Sequence, residues 1–199
     1  NADFNEVFLN DVRTPKDWIV GKRGEGWLVS RTTLKHERNS IGSAQQTDAL
    51  FGGLVGLARQ TMRNGKPAIE DPGVRQQLAE IEGYVNAHKY AGYYQLTKGA
   101  KGESAGLVQM MNKLNSTNIG DRVSKLALDL LEDDGLLGGG NRAAGAAPAS
   151  HEAWISQYMW SLGIAIAGGT ANIQRNVIAE RGLGLPRDAA ADKSKGGSK

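Results

Sequence analysis

Cysteine is absent from this sequence of 199 residues. Its absence excludes disulfide bonds, thiolate ligands for a metal ion and a cysteine nucleophile. Histidine is scarce as well, since the sequence holds only His36, His88 and His151, which lie far apart along the chain. None of them belongs to a spacing that brings two metal ligands onto one face of a helix. We therefore expect no metal site.

Long apolar runs are also missing. No stretch approaches ~18 consecutive apolar residues, so we expect no transmembrane helix. The first residues show no basic-then-apolar signal pattern, and we expect a cytoplasmic location. The sequence also has no initiating Met, which indicates a fragment or processed form of a longer protein.

No strong charge excess is present. Lys plus Arg number 24 and Asp plus Glu number 21, which gives a formal net charge of +3. This excess is too small to indicate nucleic-acid binding, and part of it lies in the tail at Lys193, Lys195 and Lys199. Apolar residues make up 40% of the chain, so a substantial buried core can form.

The first segment with a regular pattern is 4–9, where apolar and polar side chains alternate as in a strand. A single strand leaves its backbone N–H and C=O groups unpaired. We therefore expect that the rest of a sheet lies upstream.

From Gly24 onward the apolar period is that of a helix. A long first helix is predicted from there to a stop near 63–65. A second helix begins at Asp71-Pro72, with Asp as N-cap and Pro in the first position, and reaches about Thr97. Three further helices are predicted at about 107–134, 150–166 and 171–181.

The segments between the helices are short, apart from a Gly- and Ala-rich loop at 138–149. Thr170 is expected to cap the fifth helix, and residues after about Ala190 are expected to be disordered. Long helices with short connections predict an all-α fold: an antiparallel four-helix bundle with an extra C-terminal helix, preceded by the short β segment.

Two places are candidates for function. Glu37 lies in a helix, where a solvated surface position is the ordinary interpretation. It forms no intrahelical ion pair with Arg38, because adjacent residues share no helix face. The corner Gly168-Gly169-Thr170 allows close approach of a ligand to the backbone at a helix N-terminus, although an ordinary turn between helices has the same composition.

Two separated stretches resemble the acyl-CoA dehydrogenase family. Residues 4–27, FNEVFLNDVRTPKDWIVGKRGEGW, resemble its last β-domain strand, the following turn and the Gly-x-Gly-Trp entry to its first C-terminal helix. Residues 168–187, GGTANIQRNVIAERGLGLPR, resemble its closing helix. The resemblance implies that 1–23 are the end of a middle β domain and a linker, 24–187 a C-terminal helical bundle, and 188–199 a disordered tail.

The resemblance also implies a reaction, the FAD-dependent removal of two hydrogens from an acyl-CoA thioester. Many members carry the catalytic carboxylate at the position of Gly168, where this chain has none. Other members carry it on the first bundle helix, which makes Glu37 the expected base. The same resemblance implies that Arg38 and the N–H of Gly168 bind substrate and that Thr170 and Asn172 contact FAD.

Departures from the family pattern keep two hypotheses open. The Arg-x-x-Phe-Gly and Gln-x-x-Gly-Gly-x-Gly segments, which reach the FAD of a neighbouring subunit, are replaced here by 63–67 and by the acidic 131–135. The chain is then either part of an enzyme or a non-catalytic oligomerisation bundle or partner subunit. Implied partners are an acyl-CoA, an electron-transfer flavoprotein or similar acceptor, and a second bundle of the same or a paralogous subunit, without nucleic acid or membrane.

Overall fold

The structure is a computed structural model that describes residues 6–136, 148 and 150–187. Within the helices it leaves out the side chains of residues 35, 36, 38–41, 151 and 152. The predicted tail and the predicted Gly- and Ala-rich loop lie outside the described residues, except for Pro148. By its internal contacts the chain divides into two units, Asn1–His36 and Glu37–Lys199.

The first unit has little regular structure before its helix. It contains a 3-10 turn, Lys16–Trp18, and the start of helix α1 (Gly26–Ile41), which continues into the second unit. Residues 6–9 form no strand. The prediction places the partner of this strand upstream, and the described chain offers no partner for a hydrogen-bonded ladder, so the strand stays a prediction.

The long first helix predicted from Gly24 is in fact two helices. Helix α1 ends at Ile41, and α2 (Ala44–Gln60) follows after two residues. Ser43 has an extended conformation, with φ −70° and ψ 121°. Gly42 is needed for packing, since a Cβ there would lie 2.8 Å from Cβ of Asn112. The break is thus the point where the chain passes closest to the helix that carries Asn112.

A short hairpin follows α2. Strands β1 (Met62–Arg63) and β2 (Lys66–Pro67) pair antiparallel, with Met62 opposite Pro67. Asn64 and Gly65 form the turn with φ of 53° and 76°, as the type I′ hairpin turn requires. The helix stop predicted at 63–65 is right to within a turn, but the Asn-Gly signal for a hairpin was missed.

Helix α3 (Pro72–Ala100) begins where the sequence predicts. The Oδ1 atom of Asp71 accepts hydrogen bonds from the N–H groups of Gly73 at 2.8 Å and Val74 at 3.0 Å. These bonds satisfy two of the donors that a helix start leaves free. The predicted N-cap is confirmed.

Helix α4 (Leu107–Leu131) is the centre of the second unit and contacts α2, α3, α5 (His151–Ile166) and α6 (Ala171–Val177). A turn of π-helix, Ile178–Gly182, extends α6. Helix α3 runs antiparallel to α4, because Gln95 bonds Asn112 while the earlier Glu80 bonds the later Arg122.

The other two neighbours complete an up-and-down bundle. Helix α2 runs parallel to α4, since Gly42 meets Asn112 and the later Arg63 bonds the later Asp129. Helix α5 runs antiparallel to α4, because its last turn meets the first turns of α4. Helices α2 to α5 therefore form the four-helix bundle that the sequence predicts, and α6 is the extra C-terminal helix.

The core lies where α2, α3 and α4 meet. Helix α3 contributes one side chain every three or four residues, which is the spacing of a single helix face. These buried residues are Val74, Leu78, Ile81, Val85 and His88. Three residues that the sequence pattern places on apolar faces are exposed instead, namely Trp27 (73%), Leu34 (46%) and Leu96 (71%).

These three exceptions have two reasons. Leu96 falls one position away from the repeat that buries the earlier α3 residues, and Trp27 and Leu34 lie in the first unit.

None of the helices in the described part of the chain is long and apolar enough to cross a bilayer.

Truncating Leu54 to Ala should lower the free energy of unfolding by about 2–5 kcal/mol, because its side chain is fully buried and leaves a cavity. Leu96→Ala, at a position that is 71% exposed, is the matched control and should change stability by no more than about 0.5 kcal/mol. Urea unfolding followed by circular dichroism measures both. Equal losses in the two variants would contradict the assigned core.

Candidate functional site

The corner between α5 and α6 has a backbone that only glycine adopts readily. Gly168 and Gly169 have φ of 65° and 105°, in the region where a Cβ is disfavoured. Thr170 follows at the N-cap position of α6, as predicted, but its hydroxyl makes no capping hydrogen bond. The two glycines therefore set the direction in which α6 begins.

A buried lysine hydrogen-bonds two backbone carbonyl oxygens at this corner. Nζ of Lys113, on α4, donates to the carbonyl oxygen of Ala165 at 3.0 Å and to that of Gly169 at 2.7 Å. Lys113 is only 3% exposed, and burial lowers the pKa of its ammonium group. The carbonyl groups at the end of α5 form the negative end of the helix dipole, which favours the charged form.

A buried glutamine hydrogen-bonds a third backbone carbonyl oxygen at the same corner. Nε2 of Gln174, one turn into α6, donates to the carbonyl oxygen of Gly168 at 2.7 Å. The fit is close, because a Cβ on Gly169 would lie 2.8 Å from that Nε2 atom. The carbonyl groups of both glycines are thus engaged within the protein.

The N–H group of Gly168 is left without a partner among the described residues, whereas that of Gly169 donates to the carbonyl oxygen of Ile166 at 3.2 Å. Gly168 is half-buried. A backbone donor fixed in this way is pre-organised for an acceptor atom of a ligand.

The two further residues predicted at this corner are accessible. Thr170 and Asn172 are both exposed, and Oδ1 of Asn172 accepts a hydrogen bond from Nη1 of Arg175 at 3.3 Å. Their accessible polar atoms allow contact with a ligand that lies across the start of α6.

Glu37, the predicted base, is exposed on α1 and makes no hydrogen bond or ion pair with any side chain that the structure describes. The side chain of Arg38 lies outside the described part. A carboxylate in this setting can accept a proton, but this chain alone does not shield it from water.

The α1–α2 break and the Gly168 corner lie at the same end of the bundle. Gly42 packs against Asn112, and the next residue, Lys113, bonds Gly169. Glu37 precedes Gly42 by five residues, or about 7.5 Å along a helix axis. The fold thus places the α1–α2 break at the corner's end of the bundle; Glu37 precedes this break on α1, and 131 residues separate it from Gly168 in the sequence.

Lys113 and Gln174 were not predicted from the sequence. The available signal was Lys113 itself, the one charged residue on a helix face that is otherwise made of apolar and small hydroxyl residues. Lysine is almost never fully buried without a partner, so a lysine at this position indicates a nearby hydrogen-bond acceptor or negative charge. Nothing in the sequence identifies that acceptor as a backbone carbonyl of residue 169.

The far end of the bundle does not fit the pyrophosphate of FAD. Nη1 of Arg63, in the hairpin, is paired with Oδ2 of Asp129 at 3.1 Å. The adjoining 3-10 turn carries Glu132, Asp133 and Asp134. An acidic turn beside an arginine that is already paired disfavours an anion, so the described residues at that end offer the pyrophosphate no basic contact.

Comparison with known families gives a match over most of the chain. The family described as acyl-CoA dehydrogenase, C-terminal domain, matches residues 24–183. Acyl-CoA dehydrogenase IpdE1 of Mycobacterium tuberculosis is 33% identical over 191 residues, which cover 94% of this chain and 46% of that protein. FadE29 of the same organism is 27% identical over 186 residues, which cover 92% and 46%.

Solved structures of acyl-CoA dehydrogenases are also similar to this chain. The structure described as the Tcur3481-Tcur3483 steroid ACAD has a TM-score of 0.70 at 25% identity, covering 91% of this chain and 45% of that chain. The ChsE4-ChsE5 complex of Mycobacterium tuberculosis has a TM-score of 0.71 at 23% identity, a likeness of fold. The chain spans about half the length of the curated relatives it matches.

Gly169→Ala should lower the free energy of unfolding by about 1–3 kcal/mol, because the new methyl group meets Nε2 of Gln174 and φ is 105°. Gly184→Ala is the control, since Gly184 has φ of 70° but no atom within 4 Å of a built Cβ. Thermal unfolding of both variants separates the steric cost from the backbone cost. A smaller loss for Gly169→Ala than for Gly184→Ala would contradict the corner geometry.

Proposed function

The chain belongs to the acyl-CoA dehydrogenase family, whose C-terminal domain it carries, and we propose that the whole protein is an active flavin-dependent acyl-CoA dehydrogenase. The observation that carries the proposal is the Gly168 corner. Its two carbonyl groups are engaged by Lys113 and Gln174, while the Gly168 N–H remains available to a ligand.

The Gly168 N–H is proposed to donate to the thioester carbonyl oxygen of the substrate. When the α proton leaves, negative charge develops on that oxygen, and a donor already in place stabilises it without reorganisation. The buried ammonium of Lys113 lies one residue away, at the carbonyl oxygen of Gly169, and its positive charge favours the same enolate.

Glu37 is proposed to be the base. Its carboxylate takes the α proton, so that the α C–H bond breaks, an O–H bond forms, and the electron pair moves into the enolate. A base works best when water is excluded around it. Because Glu37 is exposed in this chain, that shielding must come from the substrate and from parts of the whole protein outside the chain.

FAD supplies the acceptor for the β hydrogen, which leaves the substrate as hydride. Thr170 and Asn172 are proposed to lie against the cofactor, and Arg38 to lie near the substrate. An electron-transfer flavoprotein or a similar acceptor is the proposed redox partner. The acyl group is proposed to be bulky and steroid-like, by analogy with the solved relative whose description names a steroid ACAD.

Assembly is proposed through the bundle, with a second copy or a paralogous subunit. Helix α5 buries Trp154 against the core but exposes Met159 (62%), Leu162 (45%) and Ile166 (69%). A helix that is apolar on both faces is typical of one that is covered on both sides.

A non-catalytic role is the second candidate, and a specific observation favours it. The acidic turn at Glu132–Leu136 and the paired Arg63 do not offer a neighbour's FAD the basic contact found in many family members. The bundle then supplies contacts to a partner subunit that holds the flavin.

Glu37→Gln in the full-length protein should reduce acyl-CoA oxidation by at least about 100-fold, because general-base catalysis contributes roughly that factor or more. The bound flavin should remain, as judged by its visible spectrum. Oxidation is followed with an artificial electron acceptor.

Glu82→Gln is the matched control for Glu37→Gln. Glu82 is an exposed glutamate on α3 with no described ion pair, and its substitution should leave the rate unchanged. A fully active Glu37→Gln enzyme would remove Glu37 from the role of base without affecting the family assignment.

The 199-residue chain by itself should bind no stoichiometric FAD and should self-associate through its exposed apolar surface. Absorbance after gel filtration and sedimentation velocity measure the two properties. Full-length protein should bind FAD alone or with a co-expressed paralogue. Absence of FAD in both preparations would leave the non-catalytic role, and a flavin-loaded isolated chain would contradict the proposed division of the site.

A further inference from the structure

The corner between α5 and α6 contains a type II β-turn, Ile166–Gly169. Its central residues have the torsion angles of that turn type, with φ −58° and ψ 145° at Ala167 and φ 65° at Gly168. The N–H group of Gly169 closes the turn by donating to the carbonyl oxygen of Ile166 at 3.2 Å. The second central position of a type II turn needs a positive φ, which glycine adopts without strain.

The central peptide of this turn joins Ala167 to Gly168, and its two polar atoms are free. Neither the carbonyl oxygen of Ala167 nor the N–H group of Gly168 has a hydrogen-bond partner among the described residues. The closing hydrogen bond of a turn does not involve its central peptide, and rotation of that peptide converts a type II turn into a type I turn. The direction of the Gly168 N–H therefore depends on how firmly the neighbouring peptides are held.

The next peptide, which joins Gly168 to Gly169, is held at both of its polar atoms. Its N–H group makes the closing bond of the turn, and its oxygen, the carbonyl oxygen of Gly168, accepts a hydrogen bond from Nε2 of Gln174 at 2.7 Å. Gln174 is 3% exposed, and a buried amide is normally hydrogen-bonded. Gln174 is thus the side chain that fixes the peptide adjoining the free N–H.

Gln174 is itself fixed on α6. Its backbone N–H donates to the carbonyl oxygen of Thr170 at 2.9 Å and closes the first turn of the helix. Its side chain reaches back to Gly168, and the lack of a side chain at Gly169 makes this possible, since a Cβ there would lie 2.8 Å from Nε2. One residue therefore joins the β-turn to the start of α6.

Lys113 acts on other peptides of the corner. Its Nζ atom bonds the carbonyl oxygens of Ala165 and Gly169, which attaches the corner to α4. The carbonyl oxygen of Gly168 is bonded by Gln174 instead. Lys113 therefore locates the corner on the bundle, whereas Gln174 sets the orientation of the peptide beside the free N–H.

We propose that Gln174 is a positioning residue for the dehydrogenation: by holding the carbonyl oxygen of Gly168, it keeps the Gly168 N–H directed at the thioester oxygen while the α proton leaves. This inference rests on the proposed function. A donor fixed in advance stabilises the charge that develops on that oxygen more than it stabilises the bound substrate. Loss of the Gln174 bond therefore slows the reaction without weakening substrate binding to the same extent.

The first test measures the turn in the 199-residue chain, without flavin or substrate. Gln174→Met keeps a side chain of similar length but removes the donor, and it should speed hydrogen exchange of the Gly169 amide by about three- to tenfold, because the turn opens more often. NMR of the isotope-labelled chain measures the exchange. Equal exchange rates in the wild-type and Gln174→Met chains would overturn the proposal.

Asn176→Leu is the matched control in this and the following test. Asn176 is an exposed amide on the same helix, with no hydrogen bond to any described group. Its replacement should leave both the exchange of the Gly169 amide and the rate of flavin reduction unchanged. An effect equal to that of Gln174→Met would assign the loss to general damage of α6, and the proposal would fail.

The second test follows flavin reduction by acyl-CoA in the full-length protein, by visible absorbance in a stopped-flow instrument without an electron acceptor. Gln174→Met should lower the limiting rate by roughly 10–100-fold, because a misplaced donor stabilises the transition state poorly. The half-saturating acyl-CoA concentration should change by less than about threefold, since the lost interaction belongs to the transition state. An unchanged rate, or a loss confined to half-saturation, would contradict a positioning role.

The third test observes the thioester carbonyl itself. The probe is 1-methylcyclohexanecarbonyl-CoA with an isotope-labelled carbonyl carbon, which has no α hydrogen and therefore binds the full-length protein without reacting. A hydrogen bond from Gly168 lowers the C=O stretching frequency, and Gln174→Met should move the frequency back upwards in the infrared difference spectrum. A frequency that is the same in both proteins, together with slower flavin reduction, would mean that Gln174 is only structural.

The outcomes separate this inference from the proposed function on which it rests. A wild-type full-length protein whose flavin is not reduced by any acyl-CoA would contradict the dehydrogenation itself, and with it a positioning role for Gln174. An active wild-type protein with an equally active Gln174→Met variant would contradict the role of Gln174 alone.

Discussion

Lys113 brings an ammonium group into the interior of the bundle, and its described partners are two backbone carbonyl oxygens, those of Ala165 and Gly169. Desolvation disfavours the charge, as its lowered pKa indicates, while the helix end and the two hydrogen bonds favour it. The end of α5, the corner and the start of α6 are therefore tied to α4. This tie, together with the bond from Gln174 to the Gly168 carbonyl oxygen, fixes the position of the Gly168 N–H relative to the bundle.

Two buried polar groups at this end of the bundle differ in how they are satisfied. Lys113 bonds the backbone, and so it gives the corner a unique geometry. His88 is 1% exposed, and burial lowers the pKa of its imidazole while the Gly42 backbone raises it. The two groups lie at the same end of α4, one at Lys113 itself and the other near Asn112.

Local signals in the sequence predicted local structure well. Asp71 and Pro72 fix the start of α3, because a cap acts within one turn. The same reasoning failed at Gly42, where the apolar period continues through a break in the helix. A glycine in a helical pattern signals a close approach only when the neighbouring helix is known, and here that neighbour is Asn112 of α4.

The sequence by itself determined the family, the number of bundle helices and the place of the Gly168-Gly169-Thr170 corner, because these depend on motifs and periods along the chain. Only the tertiary structure decided what holds the corner, namely Lys113 and Gln174, and that His88 is buried near the α1–α2 break. The physical reason is that hydrogen bonds to backbone carbonyls carry no residue-type signature. Their partners become known only when helices far apart in sequence are packed together.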